Sequence, residues 1–162
     1  MKTAAIVLIV LVLLVGGALC WGLFHTDLEI IGKGLETLNG AERQEDFERL
    51  RTAVDRQSLT GTVFKSDALG SPSEYSFYMY TLRLKNSGLV PAEMVEVQIS
   101  PFSGDVLFSG EEGEIDLSPG QVRDVWCVLL TKGAPSPIRD IYVTYYLWGH
   151  PQEVKFTYDN TL

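Results

Sequence analysis

Histidine and cysteine are nearly missing from this chain: two of each stand in 162 residues. His25 and His150 lie far apart with no ligand spacing between them, so neither a zinc site nor a histidine-based triad is expected. Cys20 closes an apolar run and Cys127 sits in the stretch VWCVLL. A bridge would join a strand interior to a membrane helix, so no disulfide is expected. Basic residues are scarce as well, 13 against 21 acidic, for a net charge of −8. That balance argues against nucleic acid, which selects basic surfaces, and against flat binding to an anionic lipid surface. There is no Gly-rich phosphate loop, no nucleophile elbow and no carboxylate pair placed across a cleft. No enzyme and no cofactor are expected.

Charge is absent altogether from residues 4–24, AAIVLIVLVLLVGGALCWGLF. As a helix that run rises roughly 30 Å, the thickness of a bilayer's hydrocarbon core. It is longer than the apolar core of a secretory signal, although Ala18, Leu19 and Cys20 form a weak cleavage site. Trp21 and Phe24 resemble interfacial aromatics. Gly17 and Leu19 stand the wrong way round for a lipoprotein signal. Residues 1–25 are therefore expected to be an uncleaved transmembrane signal-anchor. Lys2 before the run and acidic residues after it place the amino terminus in the cytoplasm and the rest, single-pass, outside the cell membrane.

Residues 26–57 read as an amphipathic helical stalk. Leu28, Ile31, Leu35 and Leu38 recur at intervals of three and four, Asn39-Gly40 suits a helix end, and AERQEDFERLRTAVDRQ follows. The stripe Phe47, Leu50, Val54 is too narrow for an isolated helix, so it must lie on its own domain or on a neighbouring chain.

Beyond residue 58 β-branched and aromatic residues replace helix formers. Strands are predicted over 59–65, 75–85, 94–100, 105–108, 122–130, 141–147 and 153–158, separated by Gly- and Pro-rich turns. Seven short strands make the expected fold mainly β: a two-sheet sandwich over residues 58–162, preceded by the transmembrane helix and stalk. Val95, Val97 and Ile99 alternate with Glu96 and Gln98 and should face the core. Gly149-His150-Pro151-Gln152 reads as the turn of a terminal hairpin. The acidic stretch Glu111, Glu112, Glu114 and Asp116 offers oxygens for weak Ca²⁺ binding but lacks the spacing of a dedicated loop, and the preferred reading is a solvated turn.

The stretch YTLRLKNSGLVPAEMVEVQIS ends one strand at Asn86-Ser87-Gly88 and starts another after Pro91-Ala92, and DLSPGQ at 116–121 precedes a strong apolar strand. This resembles the small immunoglobulin-like modules of extracytoplasmic proteins of the CARDB and FxLYD kind, over residues 75–158. The resemblance implies a seven-stranded immunoglobulin-like sandwich with adhesion, assembly or presentation roles and no common active site.

Residues 141–148, IYVTYYLW, are apolar on both faces. Ile141, Val143, Tyr145 and Leu147 fit a core, which leaves Tyr142, Thr144, Tyr146 and Trp148 to meet the helix, a partner or water. Tyr142, Tyr146 and Trp148, with Trp126 behind them, are the candidate interface. The expected role is a non-enzymatic interaction or assembly module, held to the membrane through residues 4–24 and meeting another envelope protein or a second copy. The alternative is a subunit of a pilin-like filament, whose apolar helix would run on into a β-rich head.

Overall fold

The computed structural model describes residues 2–24, 28–65, 69–111, 113–133 and 138–159, without the side chains of 2–5, 19 and 22–24. Helix α1 spans Lys2–Phe24 and α2 spans Gln44–Asp55. Strands are β1 Leu28–Asn39, β2 Thr62–Val63, β3 Tyr75–Asn86, β4 Glu93–Ile99, β5 Asp105–Gly110, β6 Val122–Lys132, β7 Ile138–Leu147 and β8 His150–Asp159. They form two antiparallel sheets, one ordered β1-β3-β6-β5-β2 and the other β4-β7-β8.

This corrects the expected fold in three respects. The described residues hold eight strands, not seven. The added strand is β1, in the segment read as the first half of a helical stalk; it pairs with β3 along its length, from Leu28 opposite Asn86 to Asn39 opposite Ser76. Gly32 and Gly34 disfavour a helix there. The pairing slips between Ile30 and Gly32, and that slip shifts the alternation by one residue, so the leucines and isoleucines imitate a helical period. A β-carbon at Gly32 would stand 3.1 Å from the Arg83 β-carbon, a close approach that favours glycine.

The third correction concerns the transmembrane helix. Residues 2–24 are helical, and the described side chains from Ile6 to Val15 are exposed. Among the described residues, however, no helix is long and apolar enough to cross a membrane.

The main core lies between the sheets. Tyr80, Leu82 and Leu84 of β3 and Val125, Cys127 and Leu129 of β6 meet Val95, Val97 and Ile99 of β4 and Ile141, Val143, Tyr145 and Leu147 of β7. The alternation read in β4 and β7 thus places the expected side chains inside. Asn86, fully buried, explains the turn chemistry around it. Its side-chain amide donates to the carbonyls of Val90 (2.8 Å) and Leu117 (2.9 Å), and its side-chain oxygen accepts from the Gly88 N–H (2.9 Å). The β3–β4 connection is thereby fastened to the segment entering β6, where Gly120, at φ 76°, donates to the Asn86 carbonyl.

A second cluster lies on the outer face of the five-stranded sheet. Phe47 of α2 is fully buried against Tyr75, Phe77, Val106, Leu107 and Leu130, with Leu50 and Val54 beside it. Its ring centroid is 5.2 Å from that of Tyr75. The double-sided apolar character of β6 follows: Val125, Cys127 and Leu129 face the inter-sheet core, while Val128 and Leu130 lie under α2.

One ion pair is sunk in this framework. Arg139 of β7 reaches Asp105 of β5 at 2.5 and 2.8 Å, with side-chain exposures of 1% and 0%. Asp105 also accepts from Thr131 (2.8 Å) and from the Phe102 N–H (2.6 Å), and the Arg139 guanidinium lies 4.7 Å from the Phe102 ring centroid. The pair links the two sheets, because β5 and β7 belong to different ones.

Candidate interaction surface

The outer face of the β4-β7-β8 sheet is where the candidate residues of β7 stand. Because β7 alternates, Ile141, Val143, Tyr145 and Leu147 enter the core and Tyr142, Thr144 and Tyr146 point the other way. Helix α2, one of the two covers expected for this face, lies on the other sheet instead. Tyr146 is 38% exposed; Tyr142 is half-buried. Across the pairing Tyr142 stands opposite Lys155 and Gln98, and Tyr146 opposite Pro151 and Glu93. The Lys155 ammonium lies 5.7 Å from the Tyr142 ring centroid and 2.8 Å from Asp140, which also accepts from Thr157 at 2.8 Å. These two bonds hold the Asp140 carboxyl below the usual carboxylate range, the lysine contributing most, and Asp140 in turn raises Lys155. The face is a charged and hydroxyl-bearing border around two tyrosines.

Trp148 stands at the apex of the β7–β8 hairpin. The turn is Trp148-Gly149, since Leu147 pairs with His150, and not the Gly149–Gln152 segment read from the sequence. Both turn residues have positive φ, 53° and 75°, the two-residue primed turn for which Asn-Gly is the ordinary choice. Trp148 is 63% exposed. Met94, the exposed residue at the slip between β4 and β7, also has a positive φ of 52°, and its N–H donates to Asp116 at 2.9 Å.

Trp126 does not join this group. It lies on the five-stranded sheet, 40% exposed, at the margin of a groove of about 580 Å³ between that sheet and α2, lined also by Leu38, Leu50, Phe77, Met79 and Val128. The structure therefore brings together Tyr142 and Tyr146, puts Trp148 at the end of the same hairpin, and places Trp126 on the opposite sheet.

Two of the acidic sequence candidates are bound into the fold. Glu111 pairs with Arg123 at 2.6 Å and Asp116 holds the Met94 N–H, while Glu112 lies outside the described residues. Among the described residues no three His, Cys, Asp or Glu side chains gather as a metal site. His150 is exposed at the start of β8, and His25 lies outside the described residues. Cys20 and Cys127 are free thiols; burial pushes Cys127 up to about 12, so it is an inert apolar side chain. Burial likewise pushes Tyr80 up to about 12, against the opposing pull of Arg139. The Arg139–Asp105 pair escaped the sequence reading, since two charges 34 positions apart carry no local sign of meeting.

No family model matches this chain, and no curated protein matches it. Among solved structures it is similar to the crystal structure of a FixG-related protein from Vibrio parahaemolyticus, at 14% identity and a TM-score of 0.37, over 80% of this chain and 97% of that one.

Proposed function

We propose that this chain is a non-enzymatic protein-interaction module of the extracytoplasmic immunoglobulin-like kind, tethered to a membrane by its apolar amino-terminal segment. The observation that carries the reading is the outer face of the β4-β7-β8 sheet: α2 covers the other sheet, and Tyr142 and Tyr146 stand here opposite Lys155, Gln98, Glu93 and Pro151. Tyrosine supplies contact area with little rotamer entropy to lose and a hydroxyl for the partner's polar atoms. The tether is supported by the exposure of Ile6 through Val15, an apolar surface that water does not favour. The strand at residues 28–39 favours this reading over the filament alternative, which needed a helix running from the apolar segment into the head.

The test is a photo-crosslinker placed at Tyr146 in the full chain, in the cells that make it, with one at exposed Glu36 of β1 as the control. The expected result is one discrete protein adduct from position 146, lost on Tyr142→Glu and not formed from position 36. Equal ladders from both positions, or no protein adduct from 146, would refute the reading.

A further inference from the structure

The chain enters the sandwich at one particular end. Leu28 opens β1 opposite Asn86, the last residue of β3. The same end carries the β3–β4 connection, where Leu89 is 67% exposed, and the β7–β8 turn, where Trp148 is 63% exposed. Glu93 pairs with Tyr146, so the register brings the residues before β4 alongside the apex of that turn. Phe24, which ends α1, is tied to Leu28 by a linker that reaches at most about 14 Å. The two most exposed large apolar side chains of this end are therefore held close to where the apolar segment leaves the domain.

Trp148 is the informative residue. A primed two-residue turn asks for asparagine, aspartate or glycine at its first central position, and a bulky aromatic side chain is strained there. The ring is largely exposed, so packing does not account for its being there. A strained backbone site bearing an exposed indole points to use of the indole outside the fold. Indole rings concentrate where hydrocarbon meets water, because one edge is apolar and the N–H is polar.

We propose that this end of the sandwich rests on the surface of the bilayer that holds the apolar segment, with Trp148 and Leu89 entering the lipid–water interface. This goes beyond the tether reading and rests on it. The surface it fits is zwitterionic. Glu29, Glu93 and Asp116 stand at this end with Lys85 and His150, a balance that offers no attraction to anionic headgroups. Two side chains suffice because the tether makes the contact intramolecular, at an effective concentration on the order of millimolar. The consequence is a fixed posture: the domain stands with its entry end down, and the Tyr142–Tyr146 face turns sideways toward partners instead of sweeping freely.

The test uses the full chain in phosphatidylcholine vesicles containing lipid brominated near the headgroup. Trp21→Phe with Trp126→Phe leaves Trp148 as the only indole; Trp126→Phe with Trp148→Phe leaves Trp21. The expected result is that both emissions lose about half or more of their intensity to the bromolipid. Quenching of Trp21 without quenching of Trp148 overturns the proposal and leaves the tether standing. Quenching of neither removes the tether and the proposal with it. Quenching of Trp148 that appears only when anionic lipid is added overturns the zwitterionic assignment. A second measurement keeps Trp126 in place: a nitroxide at Leu89→Cys, in a chain with Cys20→Ser, should collide more with oxygen than with a polar nickel reagent. Adding Trp148→Asn, which suits the turn, should return the label to aqueous values. A label already in water before that change overturns the proposal.

Discussion

Replacing Asp105 with asparagine tests whether the buried ion pair clamps the two sheets. Asparagine keeps the shape and removes the charge. Asp105 accepts four hydrogen bonds, two from Arg139 and one each from Thr131 and the Phe102 N–H. The change turns an amide toward a guanidinium that is 1% exposed and leaves that cation buried without its counter-charge. Breaking one side of such a pair costs about 3–5 kcal/mol, which for a domain of this size lowers the melting temperature by on the order of 10 °C. Replacing both partners, Asp105→Leu with Arg139→Met, removes the charge problem, and the double variant should recover to within about 1 kcal/mol of the parent or exceed it. Denaturant unfolding of the full chain in a mild non-ionic detergent, followed by near-ultraviolet circular dichroism, measures both. A loss below about 1 kcal/mol for Asp105→Asn, or a double variant as unstable as the sum of its singles, would refute the clamp.

Two further outcomes follow from the same structure. Phe47→Ala should cost about 3–5 kcal/mol and raise binding of a hydrophobic dye above the parent's level, since Phe77, Leu107 and Leu130 lose their cover; an unchanged melting temperature would mean that α2 does not hold that face. Cys127 and Tyr80 are held neutral by burial, each pushed up to about 12 from ordinary values of 9.0 and 10.0. Their contribution is whole below about pH 9 and is lost as pH rises toward 12, because the unfolded chain releases those protons first; Cys127→Ala should flatten the decline of melting temperature above pH 9, and a decline of unchanged steepness counts against the thiol's share.

What the sequence disclosed followed local chemistry. All seven strands read from alternation and turn residues are present, though the first shrinks from 59–65 to Thr62–Val63. The stripe Phe47, Leu50, Val54 was legible because a helix repeats its neighbours every three or four residues. The sheet it covers was not, because neither outer face differs enough in apolar content: Val128 and Leu130 look no more in need of cover than Tyr142 and Tyr146. Strand β1 was hidden by a single slip at Ile30, and only Gly32 and Gly34 argued against the helix. The grouping of Trp126 with the β7 aromatics failed for a related reason, since sequence proximity does not tell which sheet a strand joins. The site is thus half read: the alternation of β7 gave Tyr142 and Tyr146, while the strained conformation of Trp148 is a property of the turn and has no sequence signature of its own beyond the Gly149 that follows.

The place of β1 sets how the molecule takes a mechanical load. The amino-terminal segment joins the sandwich through β1, which pairs with β3 from Leu28 to Asn39 apart from the slip between Ile30 and Gly32. Tension between a surface and a partner bound at the small sheet would pull that strand lengthwise, so its hydrogen bonds would stretch together instead of parting one by one as in an opening zipper. Lys33, set over the rings of Phe156 and Tyr158 at 5.5 and 5.2 Å, adds a tie from the same strand to the opposite sheet. A domain strung this way yields in shear, the direction in which a paired strand is strongest, and its first strand is the part that would slide.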